Sequence, residues 1–175
     1  MALLILSTGG TFEKVYCPSQ GRLWFNGSRL EHWASQCCLP KATRLETIML
    51  VDSLEMTTQQ RQDIAEHVFK APEDRVVVIH GTDTMTDTAR VVCARQRSSQ
   101  TVVFTGAMIP ASQPDTDALF NLGMAVAASQ ILEPGQYICM SGAVFDANHV
   151  RKDIALGRFT GALLANAKRP KDHSE

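Results

Sequence analysis

Short apolar runs alternate along this chain with segments in which apolar residues recur at helical spacing. Each run is aliphatic or β-branched and ends in a turn or a polar cluster, which is typical of strands in a parallel sheet that is covered on both faces. The sequence predicts five strands, at residues 2–6, 47–51, 76–79, 101–104 and, as either YICM or GAVF, within 137–145.

Three helices are predicted between these strands. Thr57 and Gln60 have the spacing of a capping box and Pro72 ends the segment, so a helix is expected over about 58–70. Two further helices are predicted after Asp83 and after Pro114, from apolar residues at helical spacing. The residues that carry these patterns are Met85, Ala89, Val92 and Cys93 in the first and Ala118, Leu122, Ala125, Val126 and Ser129 in the second.

Repeated strand–helix–strand units predict right-handed crossovers and an α/β fold. We expect a three-layer sandwich around a mostly parallel sheet of the flavodoxin or Rossmann type. Residues 14–45 are turn-rich and irregular in period, so they are interpreted as a long excursion over the sheet. Trp24, Phe25 and Trp33 lie in this excursion and are interpreted as core beneath it rather than as a stacking platform.

Length and composition narrow the classes of protein. A chain of 175 residues is long enough for one core, so residues 1–169 are interpreted as a single domain and residues 170–175 as a frayed tail. The 17 basic residues are balanced by 18 acidic ones, which leaves no basic field to attract nucleic acid. The apolar run Ala2–Leu6 is too short for a membrane span and lacks the basic segment that precedes a signal peptide's core.

The cysteines indicate a reducing compartment. There are five of them, an odd number, and no pair has C-x-x-C spacing, so reduced thiols in the cytoplasm are expected. Cys37 and Cys38 lie near His32, but adjacent cysteines do not have the spacing of a tetrahedral metal site. No metal or other cofactor is therefore expected.

Polar residues cluster directly after the predicted strands, where parallel α/β sheets bind their ligands. A glycine beside a threonine lets the backbone approach a ligand while its N–H groups point toward an oxyanion or a carboxylate. The clusters are STGGT at 7–11, DSLEM at 52–56, HGTDT at 80–84, TGAM at 105–108 and FDANHVRK at 145–152.

Each of these features also has a purely structural interpretation. Thr82 or Asp83 alone would serve most often as an ordinary helix N-cap, and His80 would most often bond to nearby backbone. The Gly9-Gly10 pair could form a tight turn. Neither the dinucleotide fingerprint nor the P-loop motif is present in the sequence, which disfavours nucleotide binding.

Four of the segments together resemble the L-asparaginase family, which hydrolyses asparagine to aspartate and ammonia. They are TGGTF at 8–12 and HGTDTMTDTA at 80–89, similar to the family's two threonine signatures, with TGAMIPAS at 105–112 and FDANHVRK at 145–152. The resemblance extends from about Ala2 to Ala165, the family's amino-terminal domain. It implies a short-chain, single-domain form that lacks the second, smaller domain and assembles as a homo-oligomer, a dimer or a tetramer.

The resemblance assigns catalytic roles to five residues. Thr11 matches the nucleophile, and Tyr16 matches a tyrosine in a flexible lid that orients and helps to activate it. Thr82, Asp83 and Lys152 match a Thr-Lys-Asp triad. Whether Lys152 removes a proton or remains charged and stabilises negative charge is left open, because burial and a neighbouring carboxylate act on a lysine in opposite directions.

The resemblance also implies a set of contacts to L-asparagine. Ser53 matches a serine that contacts the substrate carboxylate, and the backbone carbonyl at Ala107 matches one that faces the leaving amide. Gly10 and Gly81 belong to the same set, together with Thr82 and Asp83 of the triad. Backbone N–H groups of Gly10, Thr11 and Thr82 could stabilise an oxyanion, and Asp83 could accept the α-ammonium group.

Two departures from the family pattern weaken the expected grip on the α-ammonium group. Leu54 stands where many members have Gln, and the acidic residue that a neighbouring chain's second domain donates has no counterpart. Two alternatives to an asparaginase therefore remain. One is a related amidase, such as a glutaminase or an amidotransferase subunit, and the other is a catalytically weak protein that binds amino acids.

Overall fold

The computed structural model describes residues 2–163 and confirms the predicted α/β architecture. The tail predicted at 170–175 and the end of the predicted domain, 164–169, lie outside the described residues. In chain order the elements are β1 (Leu3–Gly9), α1 (Gly10–Glu13), β2 (Val15–Cys17), β3 (Arg22–Trp24), α2 (Leu30–Gln36), β4 (Thr43–Val51), α3 (Thr58–Lys70), β5 (Arg75–Ile79), α4 (Met85–Cys93), β6 (Thr101–Thr105), α5 (Ala118–Ile131), β7 (Gly135–Met140), β8 (Ala143–Asp153) and β9 (Arg158–Leu163).

Seven strands form the central sheet in the order β4-β1-β5-β6-β7-β8-β9. The first five are parallel, and β8 and β9 add to one edge as antiparallel strands. The five parallel strands have the flavodoxin-like order, in which the direction of winding reverses between β1 and β5. This reversal opens a crevice at the carboxyl ends of β1 and β5, which is where such sheets bind ligands.

The central strands are continuously apolar because helices cover both faces of the sheet. On one face Leu4, Val76 and Phe104 pack in a cluster that includes residues of α3 and α4. On the other face Ile5 and Val77 belong to a cluster with α2 and α5. Alternate side chains of each strand therefore enter different halves of the core.

The helix over 58–70 is confirmed together with its cap. The Thr57 side chain accepts the Gln60 backbone N–H at 3.2 Å, and the Gln60 side chain accepts the Thr57 N–H at 2.8 Å. The segment 14–45 holds more regular structure than expected, namely a short hairpin, a two-turn helix and the start of β4. Of the three aromatic residues predicted as core beneath it, Trp33 is buried, whereas Trp24 and Phe25 are partly exposed.

The single strand predicted within 137–145 is wrong, because two antiparallel strands occupy this region. A two-residue turn, Ser141-Gly142, separates β7 from β8, and both turn residues have positive φ, as tight hairpins require. Consequently FDANHVRK lies inside β8 rather than after a strand. The register of the β8–β9 ladder shifts between Phe145 and Val150, so β8 is irregular just before Lys152.

Candidate active site

Residues predicted for the site follow four neighbouring strands at the carboxyl edge of the sheet. Thr11 follows β1, Ser53 follows β4, Thr82 follows β5 and Ala107 follows β6. These four strands are adjacent in the sheet and parallel, so the segments after them meet along one edge.

Close glycine contacts bring three of these loops together. A Cβ atom built on Gly10 would lie 2.4 Å from the Cα atom of Gly81, and one built on Gly81 would lie 2.6 Å from the Ser53 Oγ atom. Gly10 also has φ 68°, a value that favours glycine. Since Thr11 and Thr82 directly follow these glycines, the contacts bring the two threonine segments to one place.

Lys152 completes a hydrogen-bonded cluster with the loop after β5. Its Nζ atom donates to the Thr82 Oγ1 atom at 2.7 Å and to the Asp83 Oδ1 atom at 2.5 Å. The Lys152 side chain is only 9% exposed and Thr82 is buried. The three residues that the resemblance assigned to a triad are therefore joined through Lys152. This lysine lies on the antiparallel strand β8, far from Thr82 and Asp83 in the sequence.

Tyr16 lies apart from this cluster. It pairs with Leu23 in the two-stranded hairpin of β2 and β3, and its side chain is 58% exposed. Within residues 2–163, no hydrogen bond joins Tyr16 to Thr11, and the Thr11 hydroxyl has no hydrogen-bond partner. Of the five residues assigned to catalysis, the geometry thus joins three directly, places Thr11 beside them and leaves Tyr16 at the surface.

Side-chain contacts hold both ends of the segment that contains the β2–β3 hairpin. At one end Lys14 forms an ion pair with Asp52, just after β4. Burial opposes ionisation of Asp52, but hydrogen bonds from Lys14 and from the Leu54 N–H outweigh it and lower the pKa of the carboxyl. At the other end the buried Glu13 carboxylate accepts the Arg29 backbone N–H at 3.0 Å.

Asn121 and Asp117, which the sequence reasoning missed, hold the loop that contains Ala107. The buried Asn121 amide donates to the Gly106 carbonyl at 3.0 Å and accepts the Ser141 backbone N–H at 3.0 Å. The Asp117 carboxylate accepts the two backbone N–H groups that follow Ala107, at 3.0 Å each. Two polar positions at the start of an otherwise apolar helix were the available signal.

His80 has the structural role that its position after a strand suggested. Its Nδ1 atom donates to the Gly81 carbonyl at 2.8 Å, and its Nε2 atom lies 3.3 Å from the Met56 sulfur. The ring is fully buried, and this burial lowers the pKa of His80 to about 4. The imidazole is therefore neutral at physiological pH and fixes the backbone just before Thr82.

Residues 2–163 hold no group of three or more His, Cys, Asp or Glu side chains that could bind a metal ion. No helix among these residues is long and apolar enough to cross a membrane.

Leu54 is one of the two departures from the family pattern named above. Its side chain is 71% exposed, beside the buried Ser53.

The fold and this cluster define a class of protein. It is a doubly wound α/β domain in which an amine contacts both a hydroxyl and a carboxylate at the switch point of its sheet. A family model described as "Asparaginase, N-terminal" matches residues 2–158, and the chain belongs to the asparaginase family.

Individual relatives agree with this assignment. The chain is 30% identical over 170 residues to an L-asparaginase of Thermococcus kodakarensis, and the match covers 90% of this chain and 49% of the relative. It is 25% identical over 164 residues to a glutaminase-asparaginase of Acinetobacter glutaminasificans, covering 87% and 50%. A crystal structure of a probable cytoplasmic L-asparaginase from Campylobacter jejuni superposes with a TM-score of 0.78 at 25% identity, covering 91% of this chain and 52% of that one.

The chain spans about half the length of the curated relatives that it matches. The matched half is the amino-terminal one, which carries the parallel sheet and the residues described above.

Proposed function

We propose that this protein hydrolyses the side-chain amide of L-asparagine to L-aspartate and ammonia through a threonine ester. The observation that carries the proposal is the contact of Lys152 with both Thr82 and Asp83, beside the Gly10–Gly81 junction that brings Thr11 to the same edge. An amide requires an activated hydroxyl, a donor for the oxyanion and a proton source for the leaving nitrogen. These residues supply groups for each requirement.

In the proposed first step the Thr11 oxygen attacks the amide carbon of the substrate. The proton of the Thr11 hydroxyl passes to a base, the carbon–nitrogen bond breaks, and the nitrogen takes up a proton and leaves as ammonia. Backbone N–H groups of Thr11 and Thr82 stabilise the oxyanion, and each such donor is worth roughly 10²–10³-fold in rate. Once the hairpin closes over the site, the Tyr16 hydroxyl relays this proton: it accepts the proton of Thr11 while its own proton passes to the leaving nitrogen.

In the proposed second step a water molecule attacks the ester at Thr11. As the bond between the acyl group and the Thr11 oxygen breaks, one proton of the water passes to that oxygen, which restores the Thr11 hydroxyl and releases L-aspartate. We assign to Lys152 the role of an ammonium group that donates to Thr82 and to Asp83, because one of its two partners is a carboxylate, which favours a charged donor. It orients the Thr82 hydroxyl and stabilises the negative charge that develops beside it.

The substrate is held at its α-carbon by charged and polar groups. Ser53 is proposed to donate to the carboxylate, and the second oxygen of Asp83 to accept the ammonium group. The Leu54 side chain, 71% exposed, offers no hydrogen bond at a position where the resemblance to the family predicts Gln. Weak binding of asparagine and a high KM are therefore expected.

Ammonia release from L-asparagine and from L-glutamine, measured side by side, tests the proposal. Wild-type protein is expected to release ammonia from asparagine, and Thr11→Ala to release none. Mass spectrometry of acid-quenched reactions then identifies the acylated residue. An ester on Thr82 instead would transfer the nucleophile's role to that residue, and equal rates of release by wild type and Thr11→Ala would refute the mechanism.

Glutaminase activity is the second candidate, since one relative is named a glutaminase-asparaginase. Faster turnover of glutamine than of asparagine would favour it. A protein that binds amino acids without catalysis is the remaining alternative, because the chain matches only half of its relatives' length. Binding of asparagine by calorimetry without ammonia release over hours would establish that alternative.

We further propose a cytoplasmic homo-oligomer, a dimer or a tetramer, that takes this small-molecule substrate without a cofactor. One structural relative is named as a probable cytoplasmic enzyme, which supports the proposed location. Multi-angle light scattering measures the number of chains, and a monomer at micromolar concentration would exclude the assembly.

A further inference from the structure

Arg61, near the start of α3, joins two of the loops that form the candidate site. Its guanidinium group donates to the Thr84 hydroxyl at 3.0 Å and to the Thr88 hydroxyl. It also donates to the backbone carbonyls of Thr84, at 3.4 Å, and of Met56, at 3.5 Å. The side chain is only partly exposed, so these contacts form in a partly desolvated environment.

The first of these contacts continues to Ser53. The Thr84 hydroxyl donates its proton to the Ser53 backbone carbonyl at 2.7 Å, while its oxygen accepts the proton of Arg61. Hydrogen bonds in such a chain polarise and strengthen one another. This series of hydrogen bonds links α3, the loop after β5 and the loop after β4. It therefore fixes Ser53 relative to Asp83, which directly precedes Thr84.

The positive charge of Arg61 is not neutralised by a nearby carboxylate. All of its hydrogen-bond acceptors are neutral, and within residues 2–163 it forms no ion pair. This charge is separated from Ser53 by a single hydroxyl group, that of Thr84. It therefore favours an anionic group bound at Ser53.

We propose that Arg61 is a positioning residue for the subsite that holds the α-carboxylate of the substrate. It acts through Thr84, by fixing the Ser53 loop against the Asp83 loop, and through its charge, which favours an anion at that subsite. This inference rests on the proposed function, because that function places a carboxylate at Ser53. Arginine suits the role better than lysine because its planar fork reaches two hydroxyls at once.

Thr84 and Thr88 offer a matched pair of variants for the test. Both hydroxyls accept a hydrogen bond from Arg61, but only the Thr84 hydroxyl also contacts Ser53. Thr84→Val is expected to raise the KM for L-asparagine about tenfold with kcat within about twofold of wild type, since one hydrogen bond to a charged group is worth about this factor. Thr88→Val is expected to lower the melting temperature while KM stays at the wild-type value.

Substitution of Arg61 itself separates its two contributions. Arg61→Met removes both the fork and the charge, so KM is expected to rise by more than tenfold. Arg61→Lys keeps the charge and is expected to restore part of this loss. Calorimetric binding of the product L-aspartate should weaken in the same order, and this measurement requires no turnover.

The outcomes of these experiments distinguish a failure of the positioning role from a failure of the proposed function. Equal KM and equal aspartate affinity in Thr84→Val and Thr88→Val would overturn the positioning role, and so would changes confined to melting temperature or kcat. If wild-type protein neither releases ammonia nor binds aspartate, the proposed function fails, and the role of Arg61 fails with it. The inference is supported if KM rises in Thr84→Val and Arg61→Met but stays at the wild-type value in Thr88→Val.

Discussion

The two halves of the candidate site differ in how firmly the fold holds them. The half formed by Thr82, Asp83 and Lys152 is hydrogen-bonded and lies on core strands. The half formed by Thr11 and Tyr16 has a free hydroxyl on the described part of the chain and a tyrosine that is 58% exposed on a short hairpin. Under the proposed function, the first half is assembled before substrate binds, whereas the second requires the hairpin to bring Tyr16 to Thr11.

Loss of the lysine is expected to have the largest effect, because it breaks the preassembled half. Lys152→Met removes the donor to Thr82 and leaves the Asp83 carboxylate without its partner. We expect kcat for asparagine to fall by about 10³-fold, the range for loss of one preorganised donor.

An exposed lysine provides the control for this change. Lys70 forms only a surface ion pair with Glu66, so Lys70→Met should leave kcat unchanged. Near-normal turnover by Lys152→Met would show that the preassembled cluster is structural, and the difference between the two halves would lose its functional meaning.

The junction between the halves can be tested with a single methyl group. Gly10→Ala would place a Cβ atom 2.4 Å from the Gly81 backbone and force a side chain into positive φ. We expect a loss of about 3 kcal/mol in the free energy of unfolding, from backbone strain and overpacking together.

Gly27 is the matched control for this substitution. It also has positive φ, 73°, but a Cβ atom built on it meets nothing within 4 Å. Gly27→Ala should therefore cost only about 1 kcal/mol, the strain contribution alone. Equal losses in the two variants, measured by urea unfolding, would mean that the two loops are not in close contact.

The free energy of unfolding should also depend on pH through His80, which fixes the backbone just before Thr82 in the preassembled half. Burial lowers the pKa of His80 to about 4, so below its ordinary pKa of about 6.5 the unfolded chain binds a proton before the folded protein does. The free energy of unfolding should therefore fall as pH decreases from about 6.5 to 4, by about 3 kcal/mol in total. Above pH 6.5 this contribution is constant.

A variant isolates this contribution from that of the carboxylates. His80→Asn should flatten the decline between pH 6.5 and 4 relative to wild type, whereas His32→Gln, at an exposed position, should not. Unfolding curves at several pH values provide the measurement. An unchanged slope in His80→Asn would contradict the assignment of a neutral, buried imidazole.

The same contrast explains which parts of the fold were predictable from sequence. The buried parallel strands and the helices α3, α4 and α5 carry strong periodic patterns, and these elements were predicted correctly, whereas α2, within the turn-rich segment 14–45, was not. The antiparallel additions were not, because β9 is mixed in polarity and because a two-residue turn splits the region around 141–142. Lys152 was found only through its resemblance to a motif, since no local pattern brings it to Thr82.

The supporting residues of the site were beyond prediction for a different reason. Arg61 and Asn121 lie on helices and Asp117 directly precedes one, positions where a polar residue ordinarily faces solvent. Their partners are far away in the sequence, so their contacts depend on the final packing of helices against loops. A single sequence predicts the residues that match a motif but not those that hold the motif in place.

Tyr16 tests the exposed half of the site with the smallest expected effect. If the hairpin closes when asparagine binds, the Tyr16 hydroxyl reaches Thr11 for only part of each cycle, and Tyr16→Phe should lower kcat about tenfold without changing stability. The chain has one other tyrosine, Tyr137, whose hydroxyl donates to the Glu133 carbonyl, and Tyr137→Phe should leave kcat at the wild-type value. If Tyr16→Phe loses as much activity as Lys152→Met, the hairpin is closed for most of the cycle and the two halves of the site are equally well ordered.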